Sequence, residues 1–156
     1  MAIITTSALL SQPYDCLILV HPLIHVLEMV SEEIQGLGYA SLNVSKELST
    51  SLMPVSVSER SRFSQKWLTD SLVTFPHSPV LCIFPDLLFD PSLAIDPLAL
   101  FRQAARVTQL IILWPGEYSK NKLSYSIPEH HHYRTWNISD SLLRQPVVII
   151  QRILTS

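Results

Sequence analysis

The chain has 156 residues, of which 47% are apolar and 15% charged, and its formal net charge is −2. That length suffices for one domain, residues 1–156, with a core that needs no disulfide or structural metal. The charged fraction is well below the roughly 25% of a typical soluble domain and leaves apolar surface for a partner to cover, while the 11 scattered Lys and Arg residues disfavour direct contact with DNA, which calls for a phosphate-neutralising patch.

The stretch Met1 to Asp15 lacks the basic n-region of a signal peptide, and the apolar run from Cys16 meets His21, Pro22 and His25 too soon to span a membrane. Cys16-Leu17-Ile18-Leu19-Val20 reads as a first central strand, covered on both faces. Pro22 suits the first position of a helix, and Leu23, Leu27, Val30 and Ile34 repeat at helical spacing until Gly36 and Gly38 end it. Tyr39 to Val44 is a second strand, and the Ser-rich segment from Ser45 to Val57 holds one short helix and a loop. Ser58 is a cap for the next helix, which turns Phe63, Trp67 and Phe75 inward before Pro76 and Pro79. Its Arg60, Arg62 and Lys66 face water.

Val80 to Phe84 is a third strand, leading into the loop from Pro85 to Ser92. Asp96-Pro97 signals the start of a helix through Leu100, Phe101 and Ala104. Leu110 to Trp114 is a fourth strand, stopped by Pro115-Gly116. Lys122 to Ser126, Tyr133 to Asn137 and Val147 to Ile153 then read as short strands forming a partly antiparallel edge. The expected fold class is α/β, a doubly wound, mostly parallel sheet laid out like a P-loop NTPase, with an antiparallel C-terminal edge. Cys16 and Cys82, each inside a buried strand, are expected as reduced packing residues, which fits the cytoplasm.

Ligands of open α/β sheets bind beyond the carboxyl ends of the strands, here Val20 to His25 and Phe84 to Asp90. A phosphate-cradling loop needs glycines, a Lys and a Ser or Thr, and His21-Pro22-Leu23-Ile24-His25 has none of them. Asp86 is the carboxylate nearest the end of the third strand. Without the loop, lysine and magnesium ligand, useful nucleotide hydrolysis is not expected. His130-His131-His132 alternate faces if extended and cannot all converge on one ion, and His21 with His25 lack a third ligand, so no metal site is expected. Nothing resembles a nucleophile elbow or an activated cysteine, and no catalytic residue is assigned.

Leu87-Leu88-Phe89-Asp90-Pro91-Ser92-Leu93, Asp96-Pro97-Leu98, Trp114-Pro115-Gly116 and Leu123-Ser124-Tyr125, with His130 and Tyr133-Arg134, form a series. In order and spacing, over Leu81 to Arg134, it resembles the BrxF family, small P-loop proteins of type III BREX bacteriophage-exclusion systems. The N-terminal half matches in layout. The family pattern has a Walker A loop where this chain has Val20-His21-Pro22 and a Walker B Asp where it has Ile83, while Asp86 falls on an acidic position. The resemblance implies a degenerate relative that keeps Asp86 and the Asp90 loop but has lost its phosphate and magnesium anchors. A structural account of the same motifs is that they cap a helix and end a strand.

The leading expectation is therefore an accessory protein of a BREX-type system, a non-hydrolysing scaffold or regulator with no cofactor, bound to a larger defence ATPase or methyltransferase. The interface residues would be Trp114, Tyr118, Tyr125, His130, Tyr133 and Arg134, the aromatic and Arg types of interface hot spots. The alternative is a nucleotide switch, with ATP and magnesium held around His21, His25, Asp86 and Asp90. A DNA-contacting subunit would need Arg60, Arg62, Lys66, Arg102 and Arg106 exposed on one face.

Overall fold

The computed structural model describes residues 10–11, 13–126, 132–138 and 146–150. The first apolar run forms β1, Cys16–His21. Helix α1 spans Ile24–Gly36, and Pro22 lies ahead of it because Leu23, in extended conformation, takes the capping position. Leu27, Val30 and Ile34 are buried as their spacing requires, but Leu23 is 50% exposed. Gly38, at φ 98°, carries the chain out of the helix in a conformation that costs glycine little. Strand β2, Ser41–Asn43, is shorter than the run from Tyr39 to Val44 suggests. Asn43 accepts the N–H of Lys46 at 3.1 Å and so opens helix α2, Val44–Leu52, where the strand would otherwise continue.

A 3-10 turn, Val57–Glu59, precedes helix α3, Arg60–Leu72, so Ser58 sits inside that turn and does not cap the helix. Phe63, Trp67 and Phe75 pack against the core, Phe75 from beyond the helix end. Strand β3, Val80–Ile83, ends at Phe84, which is left-handed at φ 49°. The loop after it winds into two 3-10 turns, Pro85–Phe89 and Pro91–Leu93. Helix α4, Pro97–Ala104, is capped by Asp96, whose carboxylate accepts the N–H of Ala99 at 3.1 Å.

Strand β4, Leu110–Ser119, runs through Pro115-Gly116 instead of stopping there. Up to Pro115 it lies parallel to β1, and from Gly116 it pairs antiparallel with β5, Lys122–Tyr125. A proline's missing N–H is tolerated where a ladder changes partners. Lys120 and Asn121, at φ 51° and 60°, form the two-residue hairpin turn, and β6, Arg134–Asn137, extends the antiparallel part. Strand β7, Val147–Ile149, departs from the expected antiparallel edge because it pairs parallel with β1.

The result is an α/β fold with a seven-stranded, mostly parallel sheet in the order β2-β3-β4-β1-β7, from which the β5–β6 hairpin branches off β4. From β1 the chain crosses over β4 and β3 to reach β2, then steps back through β3 to β4. Right-handed crossovers in opposite directions put helices on opposite faces. Accordingly, Leu17, Leu19, Leu81, Ile111 and Leu113 pack against α1. Cys16, Ile18, Val20, Cys82, Ile112 and Trp114 point the other way, into a core shared with α2, α3 and α4. Among the described residues no helix is long and apolar enough to cross a membrane.

Candidate functional site

At the end of β3 and beside the middle of β4, α1 and the sheet border a cleft of about 230 Å³. Leu27, Ile83 and Leu113 give it an apolar floor, and Glu28, Glu32 and Asp86 stand on its walls. No Lys, Arg or His is among the described residues that line it. Ser31 and Gln35 on α1 are tied together at 2.7 Å, and Gln35 accepts from the hydroxyl of Ser41 at 3.2 Å, which fixes the far end of the helix to β2.

Asp86 is held in this wall by an arrangement centred on Ser45. The Ser45 hydroxyl donates to the Phe84 carbonyl at 2.6 Å and accepts the N–H of Leu87 at 3.0 Å, and the Ser45 N–H reaches the same carbonyl at 3.0 Å. These bonds pin the left-handed turn at Phe84. Ser45 carries no signal in the sequence beyond its place in a Ser-rich segment after a strand. Asp86 Oδ1 accepts from the Tyr125 hydroxyl at 3.1 Å. Burial, and then the Asp86 charge, push the Tyr125 phenol well above its usual range, so it stays a donor.

The loop after β1 has little to offer a phosphate. Pro22 has no N–H, and the N–H of Leu23 donates to His21 Nδ1 at 3.0 Å. Burial, and then neighbouring His25, lower the His21 pKa, so the ring is neutral at neutral pH. His21 and His25 thus lie close together, but neither lines the cleft with Asp86. Asp90 faces another task, accepting the N–H of Ser92 at 2.9 Å to cap the turn that follows. Of the four residues of the nucleotide reading, Asp86 lines this cleft and His21, His25 and Asp90 do not.

Comparison with protein-family models, with curated proteins and with solved structures finds no match.

The segments Leu87–Leu93, Trp114–Gly116 and Leu123–Tyr125 converge on one aromatic cluster. Phe89 stacks on Tyr125 at 3.9 Å and meets Trp114 edge-on at 4.9 Å, and Trp136 meets Trp114 edge-on at 5.3 Å. Trp136 donates to Asp96 at 3.0 Å, while Arg134 donates to the Ile95 carbonyl at 2.8 Å and lies over the Trp136 ring. Of the six interface residues expected from sequence, Trp114 is fully buried and Tyr125 is 5% exposed, so both serve the core. Tyr118, Tyr133 and Arg134 are half-buried, and His130 lies outside the described residues. Trp114, a large aromatic, looks the same in sequence whether it packs a core or anchors an interface.

The basic face expected for a DNA contact is thinned by the fold. Arg62, Lys66 and Arg106 are exposed. Arg60 donates to the Val55 carbonyl at 3.1 Å, and Arg102 has Nε and Nη2 buried. Among the described residues no group of three or more His, Cys, Asp or Glu is placed to hold a metal ion, and His131 lies outside them with His130. Cys16 and Cys82 are free and buried, and burial raises both thiols, Cys16 to about 12.

Proposed function

We propose that this protein is a P-loop-like, doubly wound accessory protein of a BREX-type phage-defence system. In this reading it acts in the cytoplasm as a non-hydrolysing scaffold or regulator that binds a larger defence component, an ATPase or a methyltransferase. The observation that carries it is the loop after β1. A helix N-terminus binds phosphate through free backbone N–H groups, and here Pro22 supplies none while the Leu23 N–H is taken by His21. The nearby cleft is walled by Glu28, Glu32 and Asp86 without a cation, so a nucleotide's phosphates would meet like charge. The described residues of the lining offer no cation to a nucleotide's phosphates, which supports a protein without bound nucleotide.

The sheet order supports the P-loop-like layout, because β1 and β3 flank β4 in parallel and open their loops at the same edge of the sheet. The convergence of Phe89, Trp114 and Tyr125 supports the resemblance to BrxF by giving its separate motifs one packing role.

Calorimetric titration with ATP and magnesium tests the reading. The expected result is no saturable heat at millimolar nucleotide. Saturable binding that Asp86→Ala abolishes would replace the scaffold with a nucleotide switch, and a pull-down from a native host that recovers no defence component would remove the partner.

A further inference from the structure

We infer that the cleft between α1, the end of β3 and the middle of β4 seats an apolar side chain from a basic segment of a protein partner. This deepens the scaffold reading, on which it rests for the existence of a partner, by naming the surface and its chemistry.

Size comes first. Small-molecule and cofactor sites occupy roughly 300–1,000 Å³, and this cleft, at about 230 Å³, suits a single side chain better than a nucleotide. Its floor of Leu27, Ile83 and Leu113 is apolar, and Ile24 and Leu23, at 45% and 50% exposed, extend that apolar character around the start of α1.

Charge then selects the partner. Glu28 and Glu32 are four residues apart on one helix face, where like charges repel, and Asp86 adds a third carboxylate across the cleft. Helix α1 has no Lys or Arg of its own to offset them. A Lys or Arg beside the inserted side chain relieves this repulsion and gains charge complementarity, which raises on-rate and specificity.

The test is a titration of the isotope-labelled full chain with three synthetic peptides of equal length, each with a central Leu-Phe pair flanked by Arg, Ser or Glu. The Arg-flanked peptide is expected to shift amides of α1 and of residues 83–86 saturably, and to bind at least about tenfold more tightly than the Glu-flanked one. Glu28→Lys with Glu32→Lys should invert that order. Absence of saturable shifts with the Arg-flanked peptide, equal binding of all three, or shifts located away from α1 would overturn the inference. In a parallel capture from the native host, a defence component recovered equally by wild type and the doubly substituted protein would also overturn it, while leaving the scaffold reading intact. Failure of the wild type to capture any defence component counts against the scaffold reading itself, and the peptide titration then decides the cleft.

Discussion

The indole nitrogen of Trp114 donates to the carbonyl of Ser124 at 2.9 Å, joining two short motifs across the turn between β4 and β5. The same carbonyl closes over Gly116 so tightly that an added Cβ would collide with it. The glycine is therefore needed for close approach of two backbones. Gly116→Ala is expected to cost about 1–3 kcal/mol, the usual range for overpacking, seen as a lower urea midpoint with an unchanged slope. A wild-type midpoint would show that β5 can yield.

Ser45 fastens the turn after β3 with its hydroxyl and its backbone N–H. Ser45→Ala leaves the Leu87 N–H without its acceptor, at an expected cost of about 1–3 kcal/mol. Amide exchange of residues 84–88 should accelerate along with the fall in urea midpoint. Loss of global stability without faster local exchange would place the role of Ser45 elsewhere.

Asp90 gives a pH signature. The N–H and hydroxyl of Ser92 hold its carboxyl below the usual value of 3.8. A carboxylate depressed in the folded state contributes stability that is fully present above its unfolded pKa and is lost as pH falls through the folded value. Asp90→Ala is expected to lose about 0.5–2 kcal/mol at neutral pH, as for other caps, and the gap to wild type should narrow in acid below the normal carboxylate range. Urea midpoints of both proteins at neutral and acidic pH check this, and a gap that ignores pH would dismiss the cap.

The two thiols should be inert while the protein is folded. Cys16 is raised to about 12 by burial, and Cys82, on β3, is raised by the same cause, so neither is a thiolate at pH 8. A colorimetric thiol reagent should find no fast-reacting sulfur in native protein and two in urea. Rapid reaction of either thiol in the native state would mean that the strands open.

What could be read in the sequence followed from periodicity. Continuous apolar runs located β1, β3 and the first half of β4, and Asp96-Pro97 located the start of α4, because burial on both faces and capping each leave local marks. Errors arose where distant partners decided. Pro115 looks like a strand breaker until β5 arrives to take over pairing, and β7 looks like a hairpin strand until β1 claims it in parallel. The acidic cleft is half legible, since Asp86 stands out just after a strand end while nothing local marks Glu28 and Glu32 on α1. Only the crossover of α1 above β3 and β4 brings them opposite one another.

Strand β4 serves two masters along ten residues, Leu110–Ser119. Leu113 faces α1 and Trp114 faces the opposite core, so the deletion of one residue before Trp114 would turn every later side chain to the other face. The indole would be driven under α1, and Gly116 would no longer lie beneath the Ser124 carbonyl. The length of this strand is thus fixed by the two faces it serves and by the glycine that must meet β5.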